Sequence, residues 1–180
     1  MSVMSEFRIG NIKGSFTFPQ NKLNCEKLRL SIRTLSEQVK THRNFIVLRL
    51  QYVYIIFQSS GYVNVTKIGS LLEIKECLKE FEKVTGIIHH SKFRMHNIHA
   101  YGKLKQSLNL HQYHQYIGHK ARTEEIIVTF NPSLFHGMKI KVKDLGTFIL
   151  FQSGNYSLLG ARSIGKLQKL SEKISHLISS

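Results

Sequence analysis

Two short segments of this chain return later in the sequence and in the same order. Phe7–Ile12 (FRIGNI) returns as Phe93–Ile98 (FRMHNI) 86 positions later, and Ile55–Ser59 (IIFQS) returns as Ile149–Ser153 (ILFQS) 94 positions later. Because the order is kept and the offset changes little, we interpret the 180-residue chain as a tandem duplication. Two similar halves favour a pseudo-symmetric fold, which suits a long and nearly two-fold ligand such as duplex nucleic acid.

The balance of charge points to the same class of ligand. The chain carries 26 Lys and Arg against 11 Asp and Glu, a formal charge of +15, and its 42% hydrophobic content is enough to form a core. A folded chain this basic is typical of proteins that bind a polyanion, with DNA, RNA and an anionic membrane surface as candidates. A generally basic protein, such as a ribosomal one, is the plainer alternative.

Other classes of function have little support in the sequence. No nucleophile–base pair, carboxylate pair or phosphate-binding Gly loop stands out, so we expect neither an enzyme nor a cofactor. The amino terminus lacks the apolar segment of a secretory signal, and apolar runs such as Tyr52–Phe57 are too short to span a bilayer. Cys25 and Cys77 are isolated, which is typical of buried thiols in a reducing compartment, the nucleus or the cytoplasm.

The histidines cluster in the middle of the chain. Seven of the ten lie between His89 and His119, and two H-x-x-H spacings begin at His96 and His111. Histidine is a common metal ligand, but no Cys or acidic residue joins these side chains within that stretch. We therefore predict no metal site and interpret the cluster as a polar helix face or loop near the nucleic acid.

Hydrophobic periodicity predicts strand, helix, strands and helix in each of two repeats, at residues 1–88 and 89–180. Apolar residues recur at helical spacing in four segments. These segments are Leu28–Val39, Leu71–Phe81, Leu104–Ile117 and Ile164–Leu177. Period-two alternation predicts strands within Phe45–Thr66 and Ile126–Leu159.

Strand parity predicts that each repeat has one aliphatic and one mixed face. Ile46 and Leu48 share a face that is fit to pack under helices, whereas Phe45, Val47 and Arg49 share the other. A sheet that helices cover on one side only offers its second face to a ligand. The sequence therefore predicts an open face that mixes aromatic, small polar and basic residues.

The second repeat places a Lys at every second position of one strand. Lys139, Lys141 and Lys143 alternate there with aliphatic residues. These side chains suit contact with phosphates, and they equally suit a solvated strand that discourages edge-to-edge pairing. The pattern alone leaves both interpretations open.

Four local motifs in the right order resemble the TATA-box-binding protein family over almost the whole chain. Asn11 and Asn97 resemble the paired Asn near the start of each repeat. The segment 55–61 (IIFQSSG) resembles the family's hydrophobic-Phe-x-Ser-Gly segment, and 131–137 (NPSLFHG) resembles its Pro-x-Leu-Phe-Pro-Gly loop. Residues 151–162 (FQSGNYSLLGAR) resemble its Phe-x-Ser-Gly-Lys and Thr-Gly-Ala-Lys run.

The resemblance implies an α+β fold in the form of a saddle of two tandem repeats. A curved antiparallel sheet would grip the DNA minor groove with its concave side and carry helices on its convex face. Prising base steps apart with Phe wedges is the mechanism established for this family. On this chain the wedges would be Phe45 with Phe57, and Phe135 with Phe151.

The resemblance also assigns the other DNA-facing positions. The groove positions correspond to Asn11, Lys13, Val47 and Thr66 in the first repeat and to Asn97, His99 and Leu159 in the second. The basic candidates for phosphate contact are Arg49, Lys103, Lys105, Lys139, Lys141, Lys143 and Arg162. Lys13 and His99 stand where the family has groove-facing Val, and Leu159 stands where it has Thr. These three changes would retune selectivity for A·T pairs.

The expected partners follow from the same resemblance. They are double-stranded A·T-rich promoter DNA, general transcription factors of the IIA and IIB type and the RNA polymerase machinery, in the nucleus or at a viral transcription site in an infected cell. Asn131 and Ser133 replace acidic residues with which the family contacts factor IIB. Neither a membrane nor a small-molecule substrate is expected.

Two alternatives to promoter binding stay open. The same fold could serve as a protein–protein scaffold with weak or no affinity for DNA. A different basic sheet protein could bind single-stranded RNA by stacking bases on exposed aromatic side chains.

Overall fold

The computed structural model describes Met4 and residues 6–17, 30, 39–41, 45–50, 53–85, 91–105, 107–121 and 125–179. These residues form two compact units. The N-terminal unit comprises residues 11–96, and the C-terminal unit comprises residues 1–10 together with 97–180. The boundary predicted between residues 88 and 89 lies outside the described residues.

The N-terminal unit is built on antiparallel strands. Its strands are β1 (Arg8–Thr17, from Asn11 onwards), β2 (Val39–Thr41), β3 (Phe45–Leu50), β4 (Val53–Gln58) and β5 (Tyr62–Ile68). Their spatial order is β2-β3-β4-β5-β1. Helix α1 (Leu71–Thr85) follows β5 and packs against it.

Among the described elements, the C-terminal unit repeats the order of five strands and a closing helix, and it has a further helix after its first strand. Its strands are β6 (Arg94–Lys103, from Asn97 onwards), β7 (Ile126–Thr129), β8 (Met138–Val142), β9 (Gly146–Leu150) and β10 (Asn155–Ala161), and its helices are α2 (Leu110–Lys120) and α3 (Ile164–Ser179). The strands lie in the order β6-β10-β9-β8-β7. Helix α3 packs on β9 and β10.

Side-chain caps fix the starts of the helices. Ser70 Oγ accepts a 3.2 Å hydrogen bond from the backbone N–H of Glu73, whose carboxylate accepts one of 2.8 Å from the N–H of Gly69. This reciprocal pair is a capping box at the start of α1. Asn109 caps α2 by accepting from the N–H groups of His111 and Gln112. Among the described helices, none is long and apolar enough to cross a membrane.

Alternating burial in the strands gives each unit a helix-covered core face. In the N-terminal unit the fully buried side chains of β3 and β4 are Ile46, Leu48, Ile55 and Phe57. In the C-terminal unit the core strand residues are Met138, Ile140, Val142, Phe148, Leu150, Tyr156 and Leu158. Leu167, Leu170 and Ile174 of α3 are fully buried over that face.

Two of the predicted helical segments are corrected by the structure. The stripe from Leu104 to Ile117 is helical only from Leu110, because Lys103 ends β6 and Leu104 forms an isolated bridge with Met4. In the stripe from Leu28 to Val39, Val39 begins strand β2, and residues 31–38 lie outside the described part of the chain.

Candidate nucleic-acid interface

Each unit has a strand face on which polar, aromatic and basic side chains alternate with the core. We call this surface the open face; it includes Arg49, Tyr54, Gln58 and Thr66 in the N-terminal unit and His99, Lys139, Lys141 and Phe151 in the C-terminal unit. These side chains are exposed or half-buried, and each is adjacent in sequence to at least one buried residue. The predicted alternation of Phe45, Val47 and Arg49 with Ile46 and Leu48 is present in β3.

Acidic residues are excluded from all ten described strands. No Asp or Glu occurs in any of them, and the described acidic side chains lie in helices, turns and other connecting segments. The strands do carry exposed basic residues: Arg8, Lys13, Lys40, Arg49, Lys67, Arg94, Lys103, Lys139 and Lys141. Arg49, Lys67, Lys139 and Lys141 lie on the open faces, where their charge favours a polyanion. Arg8 and Arg94 instead have the strand parity of buried residues.

An aromatic pair dominates the open face of the C-terminal unit. The rings of Phe135 and Phe151 lie edge to face, with centroids 5.9 Å apart, and Phe135 is 36% exposed. Lys139 Nζ lies 4.5 Å from the centroid of the Phe135 ring, a cation–π contact. The two predicted wedge residues of the second repeat are therefore brought together beside a predicted phosphate contact.

Gly137 makes room for this pair. A Cβ atom at Gly137 would lie 2.7 Å from Phe135 Cε1 and 3.0 Å from Phe151 Cε1, closer than carbon atoms can approach. Ile149, half-buried on the same face, would be 2.9 Å from it. The rings thus cover the backbone at a position where only Gly fits without displacing them.

Phe57 does not lie on the open face, contrary to the sequence-based prediction. It is fully buried, and its cross-strand partner is the equally buried Ile46 of the core. Because successive strand residues point to opposite faces, a displacement of one residue moves a side chain from the ligand to the core. Phe57 is therefore a core residue and not a wedge.

The turns after β4 and β9 show which residue takes the place of Phe57. The N–H of Gly61 donates to the carbonyl of Gln58 at 2.9 Å, and the N–H of Gly154 donates to the carbonyl of Phe151 at 2.9 Å. Both glycines have φ near 81°. Gln58 and Phe151 are therefore equivalent, and the offset between repeats is 93 here rather than 94.

The distance from each Phe to its turn glycine carried a signal for this correction. Phe151 precedes Gly154 by three residues, whereas Phe57 precedes Gly61 by four. The geometry of the turn determines the register of a hairpin more strictly than sequence similarity between the repeats does. Phe45, half-buried, is the cross-strand partner of Gln58, so the N-terminal unit pairs one ring with an amide.

Asn11 and Asn97 each bind a β-bulge through their side-chain oxygen. Asn11 Oδ1 accepts a 2.7 Å hydrogen bond from the N–H of Lys67, and Asn97 Oδ1 accepts one of 2.7 Å from the N–H of Gly160. Lys67 and Gly160 lie where β5 and β10 carry one extra residue against their partner strands. Because a backbone N–H fixes the oxygen, the amide N–H₂ group of each Asn is the part that can donate to a ligand.

The remaining predicted groove residues lie on the same faces. Val47, Thr66 and Leu159 are half-buried, at cross-strand positions opposite Ile56, Tyr54 and Thr147. Lys13 is exposed and lies two positions after Asn11 in the sequence. His99 is half-buried, with its Nε2 atom 3.4 Å from the Ser157 hydroxyl.

The predicted phosphate contacts are all solvent-exposed. Arg49, Lys103, Lys139 and Lys141 lie in strands, Lys105 follows β6, Lys143 lies in the turn after β8 and Arg162 precedes α3. The backbone N–H of Lys143 donates to the carbonyl of Glu125 at 2.8 Å, which fixes this turn.

Two groupings of side chains in the N-terminal unit escaped the sequence prediction. Arg49 and Lys67 both lie over the Tyr54 ring, at 5.7 and 4.6 Å from its centroid. His96 Nε2 lies 2.6 Å from the Ser15 hydroxyl and 3.1 Å from the Tyr62 hydroxyl. No spacing in the sequence joins these residues, because cross-strand pairing brings them together from three segments.

The described histidines do not assemble around a common point. Within the part of the chain that the structure describes, no three His, Cys, Asp or Glu side chains are placed to hold a metal ion. His111 and His114 instead lie against Phe130, with ring centroids 5.0 and 6.1 Å away. His111 also lines a cavity of about 710 Å³, together with Asn109, Phe130 and Phe151 among others.

Comparison with known proteins gives a consistent result. Residues 92–180 match the family model described as "Transcription factor TFIID (or TATA-binding protein, TBP)". The TBP of Methanococcus jannaschii has a similar structure: the TM-score is 0.75 at 21% sequence identity, over 97% of this chain and 99% of that one. No curated protein sequence gives a significant match. The α+β fold predicted from the sequence is confirmed by the structural match.

Proposed function

We propose that this chain is a transcription factor of the TATA-binding protein family and that it binds and bends A·T-rich promoter DNA through the minor groove. The observation that carries the proposal is the absence of acidic residues from every described strand, together with basic residues on the open faces. A duplex presents a dense row of phosphates, which such a surface attracts at long range.

The two asparagines suit the floor of the minor groove. Their oxygens are held by backbone N–H groups, so their amide N–H₂ groups are the donors that can face the DNA. In the minor groove an A·T pair presents only acceptors, adenine N3 and thymine O2, whereas a G·C pair adds a donor. Donors from Asn11 and Asn97 therefore favour A·T pairs.

The Phe135–Phe151 pair suits an opened base step. Opening a step costs a few kcal/mol. Burying a Phe side chain removes roughly 150–250 Å² from water, worth about 4–6 kcal/mol at ~25 cal/mol per Å². The two terms are of similar size, so the net affinity must come largely from phosphate contacts. Lys139, beside the pair, and Lys141, on the same strand face, are the candidates for these contacts.

Assembly of a transcription complex follows as the cellular role. We expect the chain to nucleate a preinitiation complex with factors of the IIA and IIB type and RNA polymerase, in the nucleus or at a viral transcription site. Leu134 at the tip of the 131–137 loop is 84% exposed and is a candidate contact for such a protein. Asn131 accepts a 3.2 Å hydrogen bond from the N–H of Ser133, so these two replace an acidic contact by a self-bonded turn.

Competition binding tests the proposal. At one salt concentration, an A·T-rich duplex should bind more tightly than a G·C-rich duplex or single-stranded RNA, and a minor-groove ligand should displace the protein. The Phe135→Ala/Phe151→Ala variant should lose DNA bending while its thermal unfolding changes little. Leu134→Ala, which shortens an exposed apolar side chain of the same loop, is the matched control and should bend DNA normally.

The other outcomes identify the alternatives. A preference for single-stranded RNA at equal salt would replace the proposal by base stacking on the open faces. Failure to bind any nucleic acid would leave the fold as a protein–protein scaffold.

A further inference from the structure

The equivalence of Gln58 and Phe151 has a consequence for the DNA. Resting on the proposed function, we infer that this protein opens a base step with its C-terminal unit alone. In the N-terminal unit, Gln58 replaces the second wedge and contacts base edges as a hydrogen-bonding group. The DNA would then be kinked at one end of its binding site.

The C-terminal unit carries a complete wedge. Phe135 and Phe151 support each other edge to face at 5.9 Å, and Lys139 covers one side of the Phe135 ring at 4.5 Å. Gly137 beneath them permits both rings to lie against the backbone. Two rings fixed in this way form a rigid apolar projection, which is what insertion between bases requires.

The described residues of the N-terminal unit do not repeat this arrangement. Phe57 is fully buried in the core, and the position equivalent to Phe151 holds the half-buried Gln58. Phe45 is half-buried beside it, and the cross-strand register makes Phe45 equivalent to Gly137, the floor of the aromatic pair, rather than to either ring. Among the described residues, the half-buried Phe45 and the amide of Gln58 therefore stand on the open face where the C-terminal unit has Gly137 and Phe151.

An amide cannot act as a wedge without a penalty. Between two stacked bases it would lose its hydrogen bonds with water and gain none, so insertion of Gln58 is unfavourable. At the base edges the same group can donate to adenine N3 or thymine O2 and can accept from guanine N2. Gln58 is therefore inferred to tolerate either type of base pair at its end of the site.

The asymmetry gives the site a direction. A flexible pyrimidine–purine step lowers the energy of a kink, so it is needed only where Phe135 and Phe151 insert. A second such step at the other end should add nothing to the affinity beyond the factor of two from binding in either orientation. This behaviour separates the one-wedge protein from one with two wedges.

Reciprocal substitutions test the inference. Affinity and bend angle would be measured on duplexes with a T-A step at one end or at both ends. Wild type should bind the two duplexes within about twofold and bend both equally. Gln58→Phe should prefer the two-step duplex by at least about fivefold, the range expected for one discriminated base pair, and should bend it more. Phe151→Gln should lose the bend on both duplexes.

Each remaining outcome bears on a separate claim. A wild-type preference above about fivefold for two T-A steps, or a bend retained by Phe151→Gln and lost in Phe45→Ala, would overturn the single wedge while leaving minor-groove binding intact. If wild type bound neither duplex, the proposed function would fail and the inference with it. Should Phe151→Gln not fold, the wild type and Gln58→Phe still decide the question.

Discussion

Lys67 and Gly160 adopt the same left-handed backbone conformation, with φ of 65° and 86°, and each donates its N–H to an Asn side chain at 2.7 Å. One repeat thus fills the bulge with Gly and the other with a residue for which this conformation is unfavourable. The Lys67 ammonium lies 4.6 Å from the Tyr54 centroid, which offsets part of that cost.

Replacing the bulge glycine should reveal the backbone cost directly. Gly160→Ala should lower the free energy of unfolding by about 1–2 kcal/mol, the penalty of a left-handed L-residue. Its Cβ would meet Gly146 Cα at an ordinary 3.6 Å, so no clash contributes. Gly118→Ala in helix α2, with nothing within 4 Å, should instead raise stability by roughly 0.5–1 kcal/mol. Urea unfolding measures both, and equal signs would contradict the argument.

Substituting Asn97 should separate its structural bond from its contact with DNA. Asn97→Asp keeps an oxygen to accept from the Gly160 N–H but removes the amide donors and adds a negative charge. We expect little change in unfolding and at least a tenfold loss of duplex affinity, or about 1.4 kcal/mol. Asn97→Ala should lose both the hydrogen bond to the Gly160 N–H and the contact with DNA. The missing hydrogen bond should lower the free energy of unfolding by roughly 1 kcal/mol. Normal DNA binding by the Asp variant would exclude a groove contact by the amide.

The burial of Phe57 predicts a loss of stability rather than of bending. Phe57→Ala removes a fully buried ring and should cost about 3–5 kcal/mol. Gln58→Ala, one residue later on the open face, should change stability by no more than about 0.5 kcal/mol. Thermal unfolding of the two variants provides the measurement. If Phe57→Ala lowered the free energy of unfolding only slightly, the burial of the Phe57 ring would be contradicted.

Charge removal on the open face should alter the salt dependence of DNA binding. Lys139→Gln with Lys141→Gln removes two proposed phosphate contacts, and the slope of log K against log salt should become shallower by about 1.8. Lys166→Gln with Lys169→Gln removes the same charge from exposed positions of helix α3. This matched control should leave the slope nearly unchanged. If both double variants changed the slope of log K against log salt equally, the effect would come from net charge and not from contacts made by the open face.

Burial raises the pKa of the Cys77 thiol from 9.0 to about 12. A raised folded-state pKa means that the folded chain keeps the proton, so this contribution to stability is present below about pH 9 and is lost towards pH 12. At pH 8 a thiol reagent should therefore modify Cys77 only as the protein unfolds. In the Cys25→Ser variant, Cys77 is the remaining thiol, so any labelling reports on Cys77 alone. Rapid labelling of this variant in its folded state would contradict the burial of Cys77.

The elements with strong periodicity were predictable from the sequence. The stripe from Ile164 to Leu177 corresponds to α3, and the alternation of Ile140 with Lys139 and Lys141 gives the correct faces of β8. These patterns arise because a half-buried element must repeat its apolar residues at the period of its own geometry. Local patterns of this kind need no knowledge of distant partners.

The candidate site was only partly predictable, for two physical reasons. Phe57 was aligned with Phe151 by sequence similarity alone, without regard to the position of the turn. A shift of one residue in a strand moves a side chain to the opposite face. The cluster of Ser15, Tyr62 and His96 depends on pairing between strands far apart in sequence, which no local pattern encodes. The aromatic pair was predictable because Phe135 and Phe151 lie beside recognisable turn motifs.

The bridge between Met4 and Leu104 joins two residues that lie far apart in the sequence. Met4 also accepts, through its sulfur, a 3.2 Å hydrogen bond from the Ser175 hydroxyl in α3, so its partners lie 100 and 171 residues away. Because these partners are synthesised 100 and 171 residues after Met4, its contacts cannot form until α3 has been made. Contacts of such long sequence separation predict slow folding of the C-terminal unit.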